Sequence, residues 1–181
     1  TTGEFLSRPN RFVAHVLLHG RETPCHVKNT GRCRELFVPG ARVVLSRSIN
    51  PGRKLLYDVV AVYKGKKLIN IDSQAPNRVF GEWVKAGAFL PDVRLLRPEM
   101  PFGRSRLDFY IEAGADKCLV EVKGVTLEEE GIARFPDAPT LRGARHMEEL
   151  TAAAGEGYAC YVFFLVQMAG VRVAVDAGAG S

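Results

Sequence analysis

The sequence predicts a small β-barrel followed by an α/β domain, and two observations support this fold class. Short apolar and β-branched runs, separated by turn signals, fill about the first 75 residues. A helical pattern first appears after Asn77, and from there the order is helix, strand, strand, helix, strand, strand. We therefore place an all-β domain at residues 1–75 and an α/β domain at residues 76–181.

The predicted barrel consists of short strands that each end in a turn. Glycine, proline and asparagine, which favour chain reversal, are frequent between the strands. About five strands at this spacing, with almost no helical pattern between them, are typical of an OB-fold. The predicted strands are Phe12–Leu18, Cys25–Lys28, Ala41–Arg47, Leu55–Val62 and Lys67–Ile71.

The α/β domain is predicted to begin with a helix capped by Asn77. A second helix is expected to begin at Thr140, after a proline-containing turn in which Asp137 is a candidate cap. The apolar stretch Tyr158–Val175 is interpreted as two buried strands rather than a membrane span, because polar residues interrupt it. The first helix places its large apolar side chains on one stripe, namely Val79, Phe80, Trp83, Val84 and Phe89.

The composition excludes several classes of protein. A hydrophobic content of 46% is typical of a packed globular chain rather than a disordered one. The four cysteines form no CxxC pair and no zinc-finger spacing, so we expect free core thiols in a reducing cytoplasm and no structural zinc. We also expect no secretory leader and no membrane-spanning segment.

The charge balance favours a polyanionic partner. The chain has 25 Lys and Arg residues against 20 Asp and Glu residues, which gives a net charge of +5 and an isoelectric point near 9.2. Basic surfaces bind nucleic acid because they release the counterions that are condensed on its phosphates. On charge alone, a basic protein that binds no nucleic acid is an equally good interpretation.

The stretch 104–123 is predicted to form a β-hairpin with its turn between Gly114 and Ala115. One face of this hairpin is apolar and carries the pairs Leu107–Val122, Phe109–Val120 and Ile111–Cys118. The other face carries the pairs Glu112–Lys117, Tyr110–Leu119, Asp108–Glu121 and Arg106–Lys123. Like charges on opposite strands destabilise a ladder, so Asp108 and Glu121 together require a compensating positive charge.

A divalent cation is one source of that charge. Mg²⁺, or Mn²⁺ in its place, is held by one or two carboxylates together with water and phosphate oxygens. Asp108 and Glu121 are therefore candidate metal ligands, and Lys123 is a candidate for orienting or deprotonating an attacking water. The alternative is a solvent-exposed polar face on which Arg106 and Lys123 supply the positive charge. Spacing alone does not separate the two.

Two resemblances extend this interpretation. Asp108, a hairpin and then Glu121-Val122-Lys123 resemble the active-site signature of the PD-(D/E)XK, or restriction-endonuclease-like, nucleases. A longer series of segments resembles the sugar fermentation stimulation protein A family. These segments are Asn29-Thr-Gly, Val38-Pro-Gly, Arg104-Ser-Arg-Leu-Asp-Phe, Glu121-Val-Lys-Gly-Val-Thr-Leu, Phe135-Pro-Asp-Ala-Pro-Thr and Arg142-Gly-Ala-Arg-His-Met-Glu-Glu-Leu.

The family resemblance implies an OB-like first domain, a restriction-endonuclease-like second domain and a DNA-binding protein linked to regulation of sugar-utilisation genes. The nuclease signature implies Asp108, Glu121 and Lys123 as catalytic residues, since all three are chemically competent. Family members usually continue past the strand 171–175 with another helix and strand, whereas here Ala-Gly-Ala-Gly-Ser follows.

Nucleic-acid contacts are expected in both domains. In the barrel, side chains at strand ends and turns would line a groove like that of single-strand-binding OB-folds, although turn chemistry explains Asn29 and Thr30 equally well. In the second domain, the basic side chains either contact phosphate or form an ordinary solvated basic face. Glu99 is a candidate third acidic group at the metal, or an exposed carboxylate. The candidate nucleic-acid contacts are Arg11, Asn29, Thr30, Arg32, Arg104, Arg106, Arg142 and His146.

Three functions remain open at this point. The first is a DNA-binding protein that hydrolyses phosphodiester bonds with Mg²⁺. The second is a non-enzymatic transcription regulator that keeps the nuclease fold only for DNA binding, and the third is a metal-dependent hydrolase of small phosphorylated molecules. A homodimer would suit recognition of two strands, but no heptad pattern or interface in the sequence supports it.

Overall fold

The computed structural model describes residues 1–29, 31–50, 52–136 and 141–175. Contacts divide the chain into two compact units. Within the described residues, unit 1 contains 1–74, 126–134 and 166–175, and unit 2 contains 75–125 and 135–165. Unit 1 therefore includes two segments that lie beyond the boundary predicted at residue 75.

The strands and helices follow one another along the chain in this order: β1 (Thr2–Asn10), β2 (Val13–Leu18), β3 (Arg21–Val27), β4 (Arg42–Arg47), β5 (Tyr57–Lys64), β6 (Lys67–Asn70), α1 (Ala75–Lys85), β7 (Val93–Phe102), β8 (Ser105–Ala113), β9 (Asp116–Val125), β10 (Leu127–Glu129), β11 (Ile132–Phe135), α2 (Leu141–Gly155), β12 (Ala159–Val166) and β13 (Arg172–Val175).

The strands β1 to β5 form a closed barrel. Hydrogen-bonded neighbours follow the order β3-β2-β1-β4-β5, and a parallel pairing of β3 with β5 closes the ring. Valine side chains fill its interior, and Val16, Val43 and Val59 are completely buried. This is the topology of an OB-fold, so the predicted barrel is confirmed.

The strand β1 is absent from the prediction, which begins at Phe12. Its pairing with β2 shifts register after Phe5 and again after Ser7, and Pro9 interrupts the apolar alternation that marks a strand. Phe5 is nevertheless only 2% exposed. At Gly3 a Cβ atom would lie 2.4 Å from Val16 Cγ1, so glycine permits the close approach of β1 to β2.

Unit 2 is built on a four-stranded sheet in the order β12-β9-β8-β7. Residues Phe109 and Val120 pack with α1, whereas Tyr110 and Leu119 pack with Leu150 of α2. Because alternate residues of a strand face opposite sides, the two helices cover opposite faces of the sheet. The predicted α/β domain is confirmed in this arrangement.

The edge strand β7 is also absent from the prediction. It contains Pro98 and Pro101, which lack an N–H group and so weaken the sequence signal for a strand. An edge strand tolerates proline because only one of its sides is paired. The strands β10 and β11 were likewise not expected; they join β13 in a three-stranded sheet.

The helix boundaries differ in part from those expected. Asn77 does not cap α1, because the helix begins at Ala75, after a turn in which Gln74 N donates to Asp72 Oδ1 at 3.0 Å. The expected start of the second helix at Thr140 and the candidate cap Asp137 lie outside the described residues. In the described part of the chain, neither helix has the length and apolarity needed to cross a bilayer. The four cysteines are free thiols.

Candidate metal and phosphate site

The hairpin of β8 and β9 positions the candidate cluster. Its turn and register are those predicted, with Phe109 opposite Val120, Ile111 opposite Cys118 and Glu112 opposite Lys117. The ladder pairs end at Phe109–Val120, so Asp108 and Glu121 do not form a ladder pair. The two residues instead lie just past the point where the strands stop pairing.

Asp108 explains why the ladder ends there. Its Oδ2 accepts the main-chain N–H of Val122 at 2.8 Å, a group that a continued ladder would direct to Leu107. Leu107 packs with Tyr110 and Leu119 on the α2 side of the sheet. The predicted placement of Leu107 on the same face as Phe109 is therefore wrong, because a side-chain carboxylate replaces the expected main-chain partner.

The second oxygen of Asp108 is held from α1. Asn77 Nδ2 donates to Asp108 Oδ1 at 2.7 Å. Burial, followed by the neighbouring charge of Glu121, raises the pKa of Asp108, and the N–H of Val122, Asn77 and Lys123 oppose that rise. The two carboxylates are therefore close enough to repel each other, as the hairpin pattern indicates.

Glu121 is buried, with its side chain 3% exposed. Its Oε1 accepts from Lys123 Nζ at 2.5 Å and lies 2.5 Å from Nδ1 of His146. Nδ1 of His146 can donate to this oxygen in the tautomer that carries its proton there. The other oxygen, Oε2, is buried and has no hydrogen-bond partner within the described part of the chain.

These residues fit a bound cation. An acceptor buried without a donor is unfavourable, and a cation would satisfy Oε2 of Glu121 while reducing its repulsion with Asp108. Each Asp108 oxygen keeps a second lone pair after accepting its N–H donor. No group of three or more His, Cys, Asp or Glu side chains able to hold a metal occurs among the described residues. Two carboxylates would leave several coordination positions to water, as is usual for Mg²⁺ in proteins.

Glu99 does not join this pair. The β7–β8 register places its backbone opposite Asp108, between the pairs Pro98–Phe109 and Met100–Leu107. However, its side chain is 72% exposed and its Oε2 lies 3.3 Å from NH1 of Arg106. Glu99 also has a φ of 55°, a strained left-handed conformation for a residue with a side chain. In this arrangement it is an exposed ion-pair partner rather than a third ligand.

The candidate phosphate contacts of unit 2 do meet. Arg104, Arg106, Arg142 and His146 line one cavity of about 380 Å³, together with Arg145. His146 differs from the arginines because it is buried, with 5% exposure, against Glu121. The structure therefore gives it a place in the cluster itself rather than on a solvated basic face.

The candidate contacts of unit 1 fall into two groups. Arg11 and Arg32 line a cavity of about 600 Å³ beside β1, which we call the barrel pocket. Asn29 uses its side chain within the fold, since Nδ2 donates to Ile71 O at 2.9 Å and Oδ1 accepts from Gly31 N at 2.7 Å. Asn29 is thus a turn residue. Thr30 lies outside the described residues.

Asn77 is the site residue that the sequence prediction missed. A signal was present, because Asn77 is spaced three and seven residues from the buried Phe80 and Val84. Positions at this spacing share one helix face, so Asn77 points to the sheet rather than to solvent. A polar residue on an apolar stripe calls for a buried partner, which here is Asp108.

The fold and the site define a class of protein in which an OB-fold domain is followed by a restriction-endonuclease-like α/β domain. Residues 6–71 match the family described as SfsA N-terminal OB domain, and residues 74–177 match the family described as Sugar fermentation stimulation protein RE domain. The chain belongs to the sugar fermentation stimulation protein family.

Related proteins from other organisms support this family membership. The sugar fermentation stimulation protein homolog of Desulfitobacterium hafniense is 56% identical over 166 residues, which cover 92% of this chain and 72% of that protein. The homolog of Clostridium beijerinckii is 51% identical, with coverages of 92% and 74%. A solved structure of Pyrococcus furiosus SfsA in complex with Ca²⁺ is 29% identical, with a TM-score of 0.86, and the match covers 96% of this chain and 76% of that one.

Proposed function

We propose that this protein is a metal-dependent nuclease that binds nucleic acid, DNA before RNA, and hydrolyses its phosphodiester bonds at Asp108, Glu121 and Lys123. The observation that carries the proposal is the buried Oε2 of Glu121, which has no partner among the described residues and lies beside a second carboxylate. Lys123 Nζ contacts the same carboxylate at 2.5 Å. Two acidic groups and an amine at one point suit hydrolysis of a phosphodiester better than they suit structural stability.

The relative from Pyrococcus furiosus supports a cation site, since its structure was solved in complex with Ca²⁺. Ca²⁺ and Mg²⁺ both take carboxylate oxygens. Asp108 and Glu121 would hold the cation, which would polarise the scissile phosphate and neutralise its developing charge. Mn²⁺ would serve in the same position.

The remaining side chains have separate roles in the proposal. Asn77 and the N–H of Val122 fix both oxygens of Asp108, so its orientation does not depend on substrate. His146 holds Oε1 of Glu121 from the opposite face of the sheet. Lys123, whose side chain is 19% exposed and donates to Glu121, would orient the attacking water, whose oxygen forms the new P–O bond while the bond from phosphorus to the leaving oxygen breaks.

The barrel pocket supports nucleic acid as the substrate. Arg11, Arg32 and Arg34 line it, next to the buried ring of Phe37, which Arg8 covers at 4.7 Å. A positively charged groove that follows the phosphate backbone is one of the means by which OB-folds bind single strands. The same feature supports the second candidate, a non-enzymatic transcription regulator, because unit 1 would bind DNA whether or not unit 2 cleaves it.

The test is a cleavage panel of plasmid, single-stranded DNA and RNA with Mg²⁺ or Mn²⁺. Asp108→Asn and Lys123→Gln should each reduce cleavage at least about 100-fold. Glu112→Gln is the matched control, because Glu112 lies on the same strand and pairs with Lys117 away from the cluster; it should retain wild-type cleavage. Cleavage that survives both site substitutions would disprove the assignment.

Binding separates the two candidates. Affinity measured at several salt concentrations should fall steeply for either one, since both neutralise phosphates. Steep salt dependence without cleavage of any substrate would favour the regulator. Binding that shows no salt dependence would exclude both and favour a small phosphorylated substrate.

A further inference from the structure

The cavity of about 380 Å³ in unit 2 is lined by four arginines, Arg104, Arg106, Arg142 and Arg145, together with Ser105 and His146. We call it the arginine pocket. No carboxylate occurs among its described lining residues. Its lining is therefore strongly cationic and suits a small, highly charged anion.

The arginine pocket is preorganised by Glu149. This α2 residue accepts the main-chain N–H of Arg104 at 2.8 Å, within the turn between β7 and β8. A hydrogen bond from Ser105, and then the one from Arg104 N, lower the pKa of Glu149, which keeps it charged. The turn that carries Arg104, and the start of β8 that carries Arg106, are thus attached to the helix that carries Arg142 and Arg145.

Nearby acids offset only part of this charge, since Glu99 and Glu149, the latter also interacting with Arg145 and His146, are outnumbered by four arginines. Glu99 contacts Arg106 at 3.3 Å, but both side chains are mostly exposed, so the pair is weak and open to exchange. Glu149 directs Oε1 to the turn. Arginine forks pair bidentately with phosphate oxygens, which makes several of them together a phosphate site rather than a general basic surface.

The number of arginines favours a terminal phosphomonoester over an internal phosphodiester as the ligand. An internal phosphodiester carries one negative charge, whereas a phosphomonoester carries about 1.5 to 2 at neutral pH and offers three strong acceptor oxygens. A run of single-stranded backbone would spread its charges along a groove. Four arginine side chains that line one cavity match the terminal group better.

The position of the pocket links it to the catalytic cluster. His146 lines the pocket and contacts Oε1 of Glu121 through Nδ1 at 2.5 Å. We infer that the arginine pocket binds the terminal phosphomonoester of a nucleic-acid chain and so directs the protein to chain ends. This inference rests on the proposed nuclease function, because it names the part of the substrate that the site selects.

The experiment compares three internally labelled oligonucleotides of one sequence by fluorescence anisotropy, in metal-free buffer so that no cleavage occurs. One carries a 5′-phosphate, one a 3′-phosphate, and one has hydroxyl groups at both ends. The wild-type protein should bind one phosphorylated form about tenfold more tightly than the hydroxyl form, as expected for added charged hydrogen bonds. Millimolar inorganic phosphate should abolish the preference.

Variants locate the effect. Arg142→Gln and Arg145→Gln should each remove most of the preference, so that the affinities for the phosphorylated and hydroxyl forms become nearly equal. Arg97→Gln is the matched control, because Arg97 is an exposed arginine of β7 outside the arginine pocket, and it should keep the full preference. The three oligonucleotides can be compared with the wild-type protein alone. The inference therefore remains testable even if a variant does not fold.

The outcomes separate this inference from the proposed function. Equal, salt-dependent affinity for all three oligonucleotides would overturn the end-binding site and leave the nuclease proposal standing. Absence of binding to all three would count against both. Binding of a mononucleotide as tight as that of the phosphorylated oligonucleotide would overturn the inference in favour of a small phosphorylated ligand.

Discussion

The carboxylate of Asp108 accepts the main-chain N–H of Val122 at 2.8 Å, where a regular ladder would pair Val122 with Leu107. The strand that carries Glu121 thus fixes the orientation of Asp108 directly. The two acidic residues are held by the sheet and not by flexible side-chain contacts alone. This gives a site in which charge repulsion is built in before any ligand arrives.

Ca²⁺ should stabilise the protein. A cation that binds only the folded state adds about 2.7 kcal/mol at a concentration 100 times its Kd, and in the proposed site it would also relieve the repulsion between Asp108 and Glu121. Glu121→Gln should remove the rise in Tm, and Glu112→Gln should keep it. Differential scanning fluorimetry measures the shift; an equal rise in Glu121→Gln would place the cation elsewhere.

Arg8→Lys should destabilise the barrel by about 2 kcal/mol, because an ammonium group cannot replace a fork that serves several carbonyls. Arg8 donates to Gly31 O at 2.9 Å and Asn29 O at 3.0 Å, and stacks over Phe37 at 4.7 Å. Urea unfolding measures the loss. Arg11→Lys is the control, since the exposed side chain of Arg11 lies over the ring of Phe12, and a loss as large there would refute the role of Arg8.

Glu128 should contribute to stability only at higher pH. Hydrogen bonds from Lys64, then Gly131 N and Lys67, lower its pKa to about 2. The unfolded value is about 4.3, so the contribution is complete above that pH and is lost as the pH falls from about 4.3 towards 2.

Substitution makes this acid dependence measurable. Glu128→Gln should flatten the fall in unfolding free energy between about pH 4.3 and pH 2, as followed by urea titrations at several pH values. Glu129→Gln is the matched control, because Glu129 is 58% exposed and pairs with Arg134 at 2.9 Å. An unchanged slope in Glu128→Gln would contradict the assignment.

Gly103→Ala should cost more stability than Gly114→Ala. Both glycines have a left-handed backbone, with φ of 55° and 56°, so the conformational penalty of about 1 kcal/mol is shared. A Cβ at Gly103 would also lie 3.1 Å from Oε1 of Glu149, whereas nothing lies within 4 Å at Gly114. The difference in Tm between the two variants measures the effect of the contact with Glu149. Equal decreases in Tm would show that the turn moves to accommodate the added Cβ atom without cost.

The hairpin shows how far sequence pattern reaches. Its register from Phe109–Val120 to Glu112–Lys117 was predictable, because alternation and a two-residue turn are local properties. The same reasoning missed β1 and β7, where Pro9, Pro98 and Pro101 disturb the alternation. Proline is compatible with these strands only because of the places they take in the sheets, which a local pattern does not contain.

The sequence by itself determined the barrel, the α/β domain, the family, and the placing of Asp108, Glu121 and Lys123 on one hairpin. Only the tertiary structure brought Asn77 to Asp108 and His146 to Glu121, and left Glu99 exposed beside Arg106. The physical reason is separation along the chain. Strand neighbours meet through short-range periodicity, whereas side chains from α1 and α2 reach the cluster only when both helices pack on opposite faces of the same sheet.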